Sequence, residues 1–132
     1  MKSPSFWLKL AFLAGIIADA LAILPLLLPI GADLMWGFTA FSGQYFFTAG
    51  TAAVLMGGWT ILLIWAYLRP MERRFVAILT LGVVVGMVIV EIWAVANSVL
   101  SVAKATPSWV IQCILLILFS LAYFRSGDEK NQ

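Results

Sequence analysis

Apolar positions gather into four long runs, each separated from the next by a short stretch containing polar residues, proline or glycine. A helix rises about 1.5 Å per residue, so about 20 mostly apolar residues cross a hydrocarbon layer about 30 Å thick. The pattern predicts spans over about 6–29, 45–68, 75–98 and 107–124, with a polar tail over 126–132. Charge is almost excluded from them. Asp19 is the only charge between Lys9 and Asp33, Glu91 stands alone in the third span, and the second and fourth have none.

Local signals set the ends. Ser3-Pro4 and Thr106-Pro107 each read as an N-cap followed by proline at the first helical position. Pro25 and Pro29 distort or end the outer part of the first span, and Gly31 reads as its stop. Pro70 and Glu72 predict a third helix that begins ahead of Phe75, with Glu72 facing the positive end of its dipole. Ala18-Asp19-Ala20 resembles a signal-peptide cleavage site, yet the apolar run continues to Leu28 and an aspartate beside the cut is unusual. The link around Arg69 is very short, so spans two and three are expected to be antiparallel neighbours. The link over 31–44 carries Trp36, Phe38 and Phe41 and is expected in the outer interface or folded onto the bundle. The expected fold is all-α: a four-helix membrane bundle, up-down-up-down, occupying one domain over 1–125.

Composition agrees. Of 132 residues, 64% are hydrophobic and 11% charged, with a mean hydropathy of +1.06. A soluble domain carries about a quarter charged residues. Four spans put Lys2, Lys9, Arg69, Arg73, Arg74, Arg125 and Lys130 on one side and only Lys104 on the other. The positive-inside rule then makes both termini cytoplasmic. Trp7, Trp65, Tyr67 and Tyr123 fall at the inner interface, and Trp36, Tyr45 and Trp109 at the outer one.

Several function classes drop out. The chain has no histidine, which removes bis-histidine haem, histidine zinc sites and Ser-His or Cys-His catalysis. One cysteine, Cys113, makes neither an internal disulfide nor a CxxC pair and is expected as a small buried hydrophobe. No metal and no cofactor are expected. The longest basic run is Arg73-Arg74, so nucleic acid is not an expected partner. The lipid bilayer is.

Small residues mark helix packing faces: Ala11 and Gly15 in span one, Gly50, Ala53 and Gly57 in span two, Gly82 and Gly86 in span three. At about 100° per residue, Gly82, Gly86, Trp93 and Asn97 share one face of span three, and Thr80, Val84, Glu91 and Ser98 another.

Asp19 and Glu91 are the residues to explain. A carboxyl inside a bilayer costs several kcal/mol and normally faces the protein interior or a water-filled cavity. The two fall within about one helical turn, about 5 Å, in depth. Thr51 and Gln112 lie near that layer, with Asn97 and Ser98 nearer the outer mouth. These six predict one polar pocket opening outward. Two carboxyls close together in low dielectric repel, and a shared proton or a bound cation relieves the repulsion. The structural alternatives are an inter-helix hydrogen bond for Asp19 and, for Glu91, a pair with a neighbour or with Lys104. Arg69, Arg73 and Arg74 suit an anionic lipid headgroup, or hold the hairpin inside and do no more.

The stretches Gly58-Trp59-Thr60 through Trp65, Arg69-Pro70-Met71-Glu72-Arg73-Arg74 and Glu91-Ile92-Trp93-Ala94-Val95 resemble a group of short bacterial four-span membrane proteins with no assigned function. The resemblance implies four spans in a bacterial inner (plasma) membrane and brings no catalytic residues. A sterol-isomerase-like membrane domain also pairs carboxylates, but needs the histidine this chain lacks. The expected function is binding or transport of a small solute or cation at the acidic pocket. Four short helices enclose little space, so a homo-oligomer or a membrane partner is expected too. The alternatives are an accessory or scaffold subunit, docking through the Gly82/Gly86 face, and an enzyme acting on a lipid or isoprenoid with Asp19 and Glu91 as acid and base.

Overall fold

The computed structural model describes residues 3–127; Lys2, Lys130 and tail positions 128–132, on which part of the charge count rests, lie outside the described residues. Among the described residues there are five helices and no strand: α1 (Pro4–Leu27), α2 (Pro29–Trp36), α3 (Gly43–Leu68), α4 (Phe75–Ala96) and α5 (Val102–Gly127). All but α2 are long and apolar enough to cross a membrane.

The ends differ from expectation where a proline or glycine has a tertiary role. α1 continues through Pro25, and α2 follows after Leu28 alone. Gly31 lies inside α2 instead of stopping a helix. A Cβ there would come within 2.7 Å of the Pro25 Cα, so only glycine lets α2 fold back this closely on α1. The stop is Gly37, left-handed at φ 74°, as is common for a residue that ends a helix. The Lys104 Nζ donates to the Asp33 and Leu34 carbonyls at 3.2 and 2.8 Å, satisfying the end of α2. α5 begins at Val102, which leaves Pro107 inside the helix. Thr106 therefore caps nothing, and its hydroxyl donates to the Val102 carbonyl at 2.8 Å. α4 begins at Phe75, after a turn in which Glu72 pairs with Arg69 at 3.4 Å in an exposed position. Ser126, expected in the tail, is fully buried in the last turn of α5.

α1 forms the middle of the bundle, packed on α3 on one side and α5 on the other, while α4 rests on α5. The central seam is tight. Phe12 and Phe119 meet edge to face at 5.9 Å. A Cβ on Gly15 would lie 3.0 Å from the Leu63 Cδ1 and 3.1 Å from the Phe119 Cζ. Leu8, Phe12, Leu63, Val76 and Phe119 are wholly buried.

Spans two and three, expected as packing neighbours, barely touch. A short turn brings two helix ends together without making their lengths pack. α3 commits Ala53, Leu63 and Ala66 to the α1 side, and α4 commits Val76, Ala77, Thr80 and Val84 chiefly to α5. A gap is left between α3 and α4. The faces of α4 are also exchanged: its buried side carries Thr80 and Val84, while Gly82, Trp93 and Asn97 face outward. Larger side chains at Val76, Thr80 and Val84 fill the space against α5 that the glycines cannot.

Candidate functional site

Glu91 lies near the end of α4 beside the start of α5. Ser108 and Gln112 are four residues apart, hence on one face of α5. Both donate to the same oxygen: Ser108 Oγ to Glu91 Oε1 at 2.7 Å, and Gln112 Nε2 to Glu91 Oε1 at 3.0 Å. Gln112 Nε2 also lies 3.2 Å from Ser108 Oγ, closing a three-residue network. Gln112 is 4% exposed. Glu91 Oε2 and Gln112 Oε1 are buried with no hydrogen-bond partner among the described residues. Of the two structural alternatives for Glu91, the neighbour is the one seen; Lys104 gives its ammonium to the end of α2.

Glu91 stands in the wall of the gap between α3 and α4, a cleft of about 740 Å³. Tyr45, Ala49 and Ala52 line one side; Val83, Met87 and Val90 join Glu91 on the other. Trp36, at the end of α2, and Phe38, just beyond it, line the cleft as well. Their rings are 5.8 Å apart, and Phe38 and Tyr45 rings are 6.4 Å apart. The Tyr45 hydroxyl is buried with no partner among the described residues. The nearby Thr48 hydroxyl is taken, donating to the Gln44 carbonyl at 2.9 Å. The cleft is thus an apolar, aromatic-ended space, and two of its lining residues, Glu91 and Tyr45, each carry an enclosed side-chain oxygen without a partner among the described residues.

Of the six residues expected to share a pocket, hydrogen bonds join only Glu91 and Gln112. Thr51 lies about 100° round α3 from Ala52. It is exposed in a shallow groove with Phe46, Phe47 and Gly50, and its hydroxyl donates to the Phe47 carbonyl at 2.9 Å. Asn97 is exposed and donates to the Trp93 carbonyl at 2.8 Å; Ser98 is exposed in a left-handed conformation at φ 58°. Asp19 is half-buried, and its Oδ2 is enclosed without a partner among the described residues. It lies one turn beyond Gly15, on the face that meets Leu63 and Phe119.

Of the five glycines expected to close helix contacts, Gly15 alone does so within the chain. A Cβ at Gly50, Gly57, Gly82 or Gly86 would meet nothing within 4 Å. Arg69, Arg73 and Arg74 have partners inside the protein. The Arg73 guanidinium lies 3.6 Å over the Trp65 ring and donates to the Trp65 carbonyl. Arg74 donates to the Ser126 carbonyl at 3.1 Å, and Arg69 holds Glu72. Cys113 is exposed, because its neighbour Gln112 takes the inward position.

Ser108 and Tyr45 are the two site residues the pattern did not single out. The i, i+4 spacing of Ser108 and Gln112 was a usable signal. Tyr45 read as an interfacial anchor, and its ring packs edge to face against Phe38 and Phe41 in the link between α2 and α3. Compared with family models, curated proteins and solved structures, the chain matches none.

Proposed function

We propose that the four long helices cross a bacterial inner membrane up-down-up-down, with both termini cytoplasmic, and that the chain binds a small cationic solute at Glu91. Two sets of contacts support the topology. Lys9, Arg73, Arg74 and Arg125 stack near Tyr67, Trp65, Tyr123 and Trp7, gathering the basic residues with an aromatic belt at one end. At the other end Lys104 ties the start of α5 to α2.

The observation that carries the binding reading is the divided state of the Glu91 carboxyl. One oxygen is fixed by two donors; the other is enclosed with no partner among the described residues, on a residue that lines an apolar cleft. A carboxyl so placed in low dielectric favours a cation. The test uses the purified chain in phosphatidylcholine nanodiscs, titrated calorimetrically with potassium, sodium and tetramethylammonium. Saturable binding of at least one, lost in Glu91→Gln, is expected. Binding that survives Glu91→Gln, or no binding by the unaltered chain, overturns the reading.

One observation favours the accessory reading as well. Gly82 is exposed with nothing near it, so that face of α4 is unclaimed by the chain. A stoichiometric membrane partner that copurifies, and is lost in Gly82→Leu, would establish it.

A further inference from the structure

We infer that the natural occupant of the cleft is an amphiphile, an organic ammonium on an apolar tail, which enters from the bilayer through the seam between α3 and α4. This rests on the proposal that Glu91 binds a cation, and goes on to name the cation's chemistry and route.

The lining argues against a bare metal ion. Hard cations such as calcium and magnesium take about six or more oxygens. Of the residues lining this cleft, only two side-chain oxygens lack a hydrogen-bond partner among the described residues, Glu91 Oε2 and Tyr45 OH, and both are enclosed. An ammonium needs far less. Its charge is spread over N–H or N–CH₃ groups that one carboxylate oxygen and the faces of aromatic rings satisfy. Trp36, Phe38 and Tyr45 are a run of three rings lining the same cleft as Glu91. An aromatic cluster with one carboxylate is the arrangement that recognises quaternary ammonium groups.

The remaining volume calls for a tail. About 740 Å³ lies within the range of small-molecule pockets, about 300–1,000 Å³, and far exceeds an ammonium head. Beyond the rings and Glu91, the walls are alanine, valine, methionine and leucine, with Gly86 and Thr48, whose hydroxyl is taken by its own helix. The seam opens along the length of two apolar helices that do not pack on one another. Val83 and Val90 line the cleft and are themselves exposed at its edge. In a bilayer that edge faces lipid tails. An amphiphile already dissolved in the membrane therefore slides in sideways, with its head drawn to Glu91.

Dodecylpyridinium tests this directly, because its head is an aromatic cation that quenches tryptophan on contact. The full chain in phosphatidylcholine nanodiscs is titrated with dodecylpyridinium, N-methylpyridinium and dodecanol, and Trp36→Phe isolates the signal of the cleft tryptophan. The expected result is saturable quenching of Trp36 by dodecylpyridinium, weakened at least about tenfold in Glu91→Gln. Glu72→Gln, which removes the same charge at the opposite end, leaves it unchanged. Gly86→Leu keeps Glu91 but fills the cleft, and also abolishes the quenching; helix content and unfolding midpoint confirm that each variant is folded. Suppose tetramethylammonium or potassium binds in a Glu91-dependent way while dodecylpyridinium quenches only in proportion to its partition into lipid. The amphiphile is then wrong and the cation site stands. If no cation depends on Glu91, both fall. If dodecanol displaces dodecylpyridinium and relieves the quenching at comparable concentration, the cleft recognises a tail and not a charge, and the inference falls.

Discussion

Asp19 and Glu91 have the same chemistry in two differently built parts of the molecule. Around Asp19, α1 is wedged between α3 and α5 so closely that a methyl group at Gly15, one turn away, would press on Leu63 and Phe119 at 3.0 and 3.1 Å. Around Glu91, α4 leans on α5 and leaves its other flank open to a cleft. Each acid carries one enclosed oxygen without a partner among the described residues. Glu91 has two donors on its other oxygen and lines the cleft, whereas Asp19 has no donor among the described residues. A carboxyl held by donors beside a cleft is arranged to accept something there. One set in a packed seam without support only costs stability. Position along the helices does not separate these two cases; the packing of the flanking helices does.

The contrast breaks first at the seam. Gly15→Leu forces a side chain against Leu63 and Phe119 and is expected to cost about 3 kcal/mol, read as a lower unfolding midpoint in detergent. An unchanged midpoint would mean the seam is slack. The next effect is at Glu91. Glu91→Ala leaves Ser108 and Gln112 without their acceptor, at a cost of about 2 kcal/mol. Glu91→Gln keeps a carbonyl oxygen there and should unfold close to the parent. Equal losses in both variants would show that the network depends on charge and not on an acceptor. Asp19→Leu goes the other way, raising stability by about 1 kcal/mol by removing an unsupported carboxyl. A destabilised Asp19→Leu would reveal a bond, through water, that Asp19 makes in the membrane. Smallest is Thr51→Val, within about 0.5 kcal/mol, because that exposed hydroxyl serves only its own helix. A larger loss would return Thr51 to the site.

The four spans were legible in the sequence because apolar length is a property of each segment alone. Which helix packs on which was not. The short turn at Arg69 limits the distance between two ends, whereas the side-chain volumes of Val76, Thr80 and Val84 decide that α4 turns to α5. The same volumes overruled the glycine pattern of α4, where smallness marked a face but not its direction. Thr51 failed for a related reason: the correct depth came with the wrong phase. Pro107 and Gly31 were read by their local preferences, and both were overridden by tertiary contacts. Glu91 and Gln112 were legible because a charge and an amide are conspicuous in apolar runs. Their joining partner, Ser108, is small enough to pass as part of a helix start.

The Glu91 network also sets an order of manufacture. Both donors reside on α5, which follows α4 along the chain. During synthesis α4 is therefore made before the residues that ligate its acid, and α3 does not compensate, since the two barely meet. Until α5 is in place, Glu91 lacks both of its donors. Docking of α5 is then the step that completes the site.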